Sequence, residues 1–255
     1  MPTIRLARHV AAGCAAMALL AHPAAAQVRL GETGLTATGT PTIASDYLFR
    51  GLSQTRSRPA VQVTGEVSHD LGLYVGAFVS DVAFLGTDAR QEVDALAGYR
   101  FEALGIKWDV GAIYYAYPGY DRPAGGFTLD YVEVAAKASR AFGSTTLQAS
   151  AFFSPNYQLR SGRSLYVEGG VDQALPFDVT GSVRLGYLAI ERNERFGTPD
   201  YLTWSVGASR EIAAGFRLGI GYYDTNISRR DCVPFEGRGQ GICGARVLVT
   251  LSRQF

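Results

Sequence analysis

The chain has 255 residues, 47% of them hydrophobic, and a formal net charge of +1 from 24 basic and 23 acidic side chains. This length suits one barrel or one to two soluble domains, and the balance of charge excludes the basic face that nucleic-acid binding requires. Beyond the first 26 residues no apolar run approaches the ~20 residues of a membrane helix, whereas glycine (30) and tyrosine (14) are abundant.

Residues 1–26 predict a secretory signal peptide. Arg5 and Arg8 open it, Val10 to Leu20 supplies a short apolar core, and Ala24-Ala25-Ala26 sets cleavage before Gln27. The core is too short for a membrane anchor. Cys14 lies within it, with Ala11 three residues before, which argues against a lipoprotein. Removing Arg5 and Arg8 leaves 22 basic and 23 acidic side chains, so residues 27–255, the expected mature barrel, carry a net charge of −1.

After a polar stub (27–34), period-2 alternation predicts twelve strands at 35–50, 60–69, 72–84, 90–102, 105–117, 128–140, 144–154, 163–174, 177–190, 200–211, 215–226 and 243–255. Tight connections fall near Leu71, Leu104, Phe142, Pro176 and Ala213. Mostly longer, polar ones occupy 51–59, 85–89, 118–127, 155–162, 191–199 and 227–242. Short turns on one side and long loops on the other are the signature of an outer-membrane β-barrel with periplasmic turns and extracellular loops. An even strand number brings both termini to the short-turn side. The last strand shows the pattern most plainly: Ala245, Val247, Val249, Leu251, Arg253 and Phe255 alternate with Arg246, Leu248, Thr250, Ser252 and Gln254. One strand of a soluble sandwich would look the same; twelve following an export signal point to an all-β transmembrane antiparallel barrel. Its unpaired backbone groups would be untenable in hydrocarbon unless the sheet closed.

Alternation also assigns faces. Outward aromatics are expected in two tiers, as a bilayer with two interfaces favours. Tyr47, Phe49, Tyr114, Phe153, Tyr187, Trp204 and Tyr222 form the long-loop tier, and Phe101, Trp108, Phe216 and Phe255 the short-turn tier. Inward, toward a lumen, are expected the acids Asp46, Glu66, Glu92, Asp94, Asp109, Glu133, Glu168 and Asp172, with the bases Arg50, Arg100, Lys107, Lys137, Arg184, Arg217 and Arg246. These charges either brace the interior by pairing or line a water-filled path. Inward glycines (Gly98, Gly111, Gly170, Gly186, Gly207, Gly219, Gly221) are expected to thin the wall.

The segment Ser45 to Thr55 reads SDYLFRGLSQT and is followed by Pro59-Ala60. With Glu92-Val93-Asp94 and Gly98-Tyr99, Tyr114-Tyr115-Ala116-Tyr117-Pro118-Gly119, Glu133 and Asp224-Thr225, it resembles the TorF-like group of proteobacterial porin-type proteins. The resemblance covers most of residues 27–255. It implies an outer-membrane barrel and brings no substrate or catalytic residue with it. The sequence departs from the pattern at Ala95-Leu96, where an aromatic residue is more usual. Likeness to outer-membrane barrels also implies that the terminal aromatic, Phe255, is read by the barrel-assembly machinery.

Export leads to an oxidising compartment, so Cys232 and Cys243, which bracket the last long loop, are expected to form a disulfide. Two thiols without a nearby histidine make a poor zinc site. Residues 27–255 contain one histidine, His69, at a short turn. A Ser–His hydrolase working from the loop side would have no base there. Gly219-Ile220-Gly221 lies inside a strand and is no nucleotide loop, and Asn226-Ile227-Ser228 matches a glycosylation sequon by chance.

The expectation is therefore a channel, without cofactor or catalysis, in the outer membrane of a Gram-negative cell. It would be surrounded by outer-membrane lipid and would pass small hydrophilic solutes or ions through a narrow charged lumen. Twelve strands at a tilt of ~40° give a backbone radius of roughly 12 Å, about half of it filled by side chains. The alternative is a plugged structural barrel that binds a partner through its loops; a barrel hydrolase ranks below both. The sequence specifies no oligomeric state.

Overall fold

The computed structural model describes residues 27–84, 86–232 and 241–255; the expected signal peptide lies outside them. Alternating apolar and polar residues produce strands of 8 to 13 residues. In chain order these are β1 (Leu35–Ala44), β2 (Ala60–His69), β3 (Leu73–Asp81), β4 (Gln91–Ala103), β5 (Ile106–Ala116) and β6 (Tyr131–Phe142). There follow β7 (Thr145–Ser154), β8 (Ser164–Leu175), β9 (Val179–Ile190), β10 (Tyr201–Glu211), β11 (Phe216–Thr225) and β12 (Arg246–Arg253). Each pairs antiparallel with its chain neighbours, and β12 returns to β1, so a twelve-stranded barrel closes without an edge.

The closing seam shows why the last residues matter. Thr250, Leu251 and Ser252 pair with Ala44, Ile43 and Thr42. The same register runs on to Phe255, whose N–H donates to the Gly39 carbonyl at 2.7 Å while its own carbonyl accepts from the Gly39 N–H at 2.9 Å. Where β12 runs out, Val28–Arg29 takes over the seam, pairing with Ala37 and Thr36. Part of the polar stub thus joins the wall, because the free edge of β1 needs donors and acceptors toward its first residue.

Five tight turns sit at one end. That between β4 and β5 places Leu104 at φ +57° and Gly105 at φ +69°, the two left-handed positions that a two-residue hairpin requires. The longer loops lie at the other end. One is clasped by Arg163, whose backbone N–H and guanidinium both donate to Glu191 and hold its carboxyl below the usual carboxylate range.

The outer wall is apolar. Val63, Val75, Val134, Leu185, Val206, Ile220 and Val247 are exposed on it. Tyr114, Phe153, Tyr187 and Tyr222 are exposed toward the loop end, Phe101 and Phe255 toward the turn end. Tyr99, Phe101 and Trp108 stack in succession on the turn-end tier.

Tyr47 and Phe49 correct the expected face assignment. Strand β1 ends at Ala44, and Tyr47 is 1% exposed. The chain turns into the barrel after Ser45 and forms a small hairpin, Leu48–Phe49 against Leu52–Ser53. Both aromatic residues therefore belong to the interior. A 16-residue strand over 35–50 would overshoot the 9–11 residues that cross a bilayer, and the surplus folds inward.

Cys232 and Cys243 are disulfide-bonded, with Cα atoms 6.0 Å apart. The bridge closes a loop of about a dozen residues and restricts its unfolded states by about 3 kcal/mol in the chain-entropy account. The wall is held by its own hydrogen-bonded ladder. Reduction is therefore expected to increase hydrogen exchange in residues 227–232 and 241–245 while heat-modifiable gel mobility persists; loss of that mobility would mean that the bridge holds the barrel.

Candidate functional site: the occluded lumen

The inward hairpin needs an abrupt turn, which Arg50 (φ +50°) and Gly51 (φ +81°) provide. A Cβ at Gly51 would lie 2.6 Å from both Thr203 and Thr225, so glycine is required there for space as well as for conformation. From this turn the hairpin reaches walls all round the barrel. The Tyr47 hydroxyl donates to Glu92 on β4 at 2.5 Å. The Arg50 guanidinium donates to both oxygens of Glu133 on β6, at 2.9 and 2.7 Å. The Tyr201 hydroxyl on β10 donates to the Arg50 carbonyl at 3.1 Å. Asp46 accepts from Arg246 on β12 at 2.8 Å and, within the segment, from Ser53 and Thr55.

Arg50 and Glu133 are 4% and 0% exposed. A charge pair so deeply buried needs further partners, and it has them. Tyr115 donates to Glu133 at 3.1 Å, while Phe49, Phe152, Tyr157 and Tyr166 lie around the guanidinium at 4.5–5.8 Å. Toward the loops a continuous apolar cluster follows, including Phe84, Tyr117, Leu129, Tyr131, Tyr157 and Phe196. The loop half of the interior is thus a packed core.

The turn half differs. Beneath Tyr47 and Leu48 lies a cavity of about 200 Å³, lined by Asp94, hydroxyls such as Thr40, Thr64 and Ser209, and Arg217. On one wall Arg100 makes a bidentate pair with Glu66 at 2.7 Å, a weaker contact with Asp109 at 3.4 Å, and covers the Tyr74 ring. Tyr74 donates to Asp109, and Lys137 lies 3.9 Å from that carboxylate. On the opposite wall Arg184 pairs with Asp172 at 2.6 Å, Gln148 donates to Asp172, and Tyr166 donates to Glu168. Arg217 contacts Ser209. Lys107 is exposed at the turn-end mouth, away from both clusters.

The fifteen charged positions are therefore not one ring. They divide into a plug clamp (Asp46, Arg50, Glu133, Arg246), two wall clusters, the pair Glu92 and Asp94 on β4, of which Asp94 lines the cavity, and two separate bases, Arg217 on the cavity lining and Lys107 at the turn-end mouth. Most of the glycines expected to thin the wall are instead seats for inward side chains. Gly98 and Gly111 leave room for Tyr74, Gly170 for Arg184, Gly186 for Tyr166 and Gly221 for Tyr223. The space they release is occupied.

His69, at the β2–β3 turn, accepts the Leu71 N–H on Nδ1 at 3.0 Å. Among the described residues no group of three or more His, Cys, Asp or Glu is placed to hold a metal ion.

Residues 29–255 match the family described as a bacterial protein of unknown function, Gcw_chp. No curated protein matches the chain in sequence. Among solved structures, the KdgM porin in complex with disordered oligogalacturonate is similar at a TM-score of 0.54 and 10% identity, over 86% of this chain and 98% of that one. The NanC porin is similar at a TM-score of 0.54 and 10% identity, over 85% and 97%. At that identity the likeness concerns the fold, a closed twelve-stranded barrel of the outer-membrane porin type.

Proposed function

The chain belongs to the Gcw_chp family of bacterial proteins of unknown function, and from that premise we propose that it is an outer-membrane channel for small hydrophilic solutes, closed in the present conformation by its own first loop. The carrying observation is the combination of a cavity in the turn half, whose lining mixes apolar side chains with hydroxyls, Asp94 and Arg217, with a hairpin that lies across the lumen above it. A barrel meant only as a rigid anchor has no need of such a cavity. The turn end would face the periplasm and the loops the exterior, as in other barrels with short turns. The resemblance to the TorF-like group, carried by SDYLFRGLSQT and its companion motifs, agrees with this reading. So does the absence from the sequence of a loop-side histidine for hydrolysis. The packed apolar cap favours the second reading, a permanently plugged barrel that works through its loops. Purified protein in planar bilayers separates the two: small, fluctuating conductance supports the channel, and a silent barrel under all voltages and salts supports the plug.

Selectivity follows from the carboxylates. Glu92 and Asp94 are two apart on β4 and face inward together, about 7 Å from each other. None of the ion pairs among the described residues includes either. A conducting state should therefore prefer cations mildly, most at low salt, where screening is weakest. Glu92→Gln with Asp94→Asn should reduce that preference. Reversal potentials under a salt gradient test it, and anion preference in the native protein would refute it.

Phe255 closes the seam and, on the present proposal, is also the residue the assembly machinery reads. Deleting it should lower the amount of barrel in the outer membrane severalfold while refolding in detergent suffers much less. Equal loss in both would assign Phe255 to strand pairing alone.

A further inference from the structure

We propose that the cavity beneath the hairpin is a binding site for a small organic ammonium ion, with the Asp94 carboxylate as its counter-charge. The inference rests on the channel reading only for how the ligand enters.

Asp94 is 5% exposed and lines the cavity together with Tyr47, Phe78, Leu96, Ile113 and Tyr115. No described donor reaches its Oδ1. The neighbouring carboxylates are differently placed. Glu133 is held by Arg50 and Tyr115, and Glu92 accepts from Tyr47. Asp94 thus carries the one carboxylate oxygen among these three that is both buried and unmatched, on a residue that borders the cavity. An ionised carboxylate in such surroundings is costly unless an opposite charge joins it.

The lining decides which cation fits. Mg²⁺ and Ca²⁺ require a shell of six or more oxygens, and among the described residues no cluster of three or more His, Cys, Asp or Glu is placed to supply one. The side chains around Asp94 are aromatic and aliphatic instead. Aromatic rings attract cations through their negative faces, and this attraction favours weakly hydrated organic ammonium groups. Apolar walls also bury their methyl or methylene groups. A cavity of about 200 Å³ equals the liquid volume of roughly six or seven waters, enough for a compact amine or quaternary ammonium ion. The hydroxyls and Arg217 on the far lining leave space for a polar or anionic tail.

Titration calorimetry of the refolded 27–255 barrel in a non-ionic detergent tests the site, with choline chloride as probe. Its uncharged carbon isostere 3,3-dimethylbutanol is the reference, and ionic strength is matched with sodium chloride. Choline should bind at least tenfold more tightly than the isostere. Asp94→Asn should weaken it tenfold or more with heat-modifiable mobility retained, and Asp94→Glu should recover part of the loss. Equal binding of choline and isostere, undiminished binding in the Asn variant, or competition by sodium as strong as by tetramethylammonium would each overturn the proposal. Should the Asn variant not fold, the comparison of choline with its isostere on the native chain decides alone. Conductance without choline binding would end this proposal and leave the channel reading standing; binding in a silent barrel would do the reverse.

Discussion

Arg50→Ala should release the hairpin and raise single-channel conductance severalfold. The guanidinium is the hub of the occluding segment: it holds both oxygens of Glu133, and its backbone carbonyl accepts from Tyr201 on the far wall. Removing one partner of a buried ion pair leaves the other charge uncompensated, at a cost of about 3–5 kcal/mol. That cost need not unfold the barrel, because the wall ladder does not pass through the hairpin. The hairpin's own pairing is two residues against two, which is marginal without its anchors. The loss should therefore appear as undocking of residues 45–57. Hydrogen exchange there should accelerate, and planar-bilayer recordings should show larger and longer openings. Arg50→Ala combined with Glu133→Gln should restore stability in part, since the stranded charge is gone, yet keep the larger conductance, since the clamp is still missing. Unchanged conductance in both variants would mean that the aromatic loop cap, not the hairpin, closes the path.

The barrel was legible because its signal, a period-2 alternation with one apolar face turned outward, is repeated twelve times. Leu73 to Asp81 or Val247 to Ser252 alone could be any half-buried strand. Chain-wide turn asymmetry is what converts them into a membrane wall. The candidate residues were legible in direction and not in partnership. Alternation places Glu66, Arg100 and Asp109 inward, but it does not say that the three meet around Tyr74. Such meetings depend on register between strands, which the sequence states only indirectly. The hairpin is the instructive miss. Alternation continues from Ala44 into Tyr47 and Phe49, so a local reading extends the strand and turns both rings toward lipid. Two signals opposed this. The expected strand was too long for a bilayer, and Arg50-Gly51 between Leu48-Phe49 and Leu52-Ser53 has the form of a two-residue turn. Length would have been the stronger guide, because it reflects the membrane, whereas alternation does not distinguish a strand in the wall from one in the lumen. Glycine was misread for a related reason. An inward glycine tells that something lies close, and here the nearby tyrosines are what lies there.

The last expectation concerns the face that makes this wall a membrane wall. Val249→Arg should destabilise the barrel by about 2–4 kcal/mol if its position is near the midplane. Val249 is 40% exposed on the outer surface and pairs with Ile220, itself 56% exposed, with Val247 two residues along on the same face. An arginine there would put its charge into hydrocarbon, or distort the bilayer to reach water. Thr250 is the natural control. One step along a strand crosses the wall, and Thr250 lines the cavity beneath the hairpin. Thr250→Arg would place the same side chain among hydroxyls, so its cost should be well below that of Val249→Arg. Reversible denaturant unfolding in lipid vesicles measures both. If Thr250→Arg proves the costlier change, the inner and outer faces have been exchanged, and the lumen, the plug and the ammonium site fall with that assignment. If the order holds, position 249 faces lipid and the charged interior is the protein's own, enclosed by the wall that β12 and β1 close.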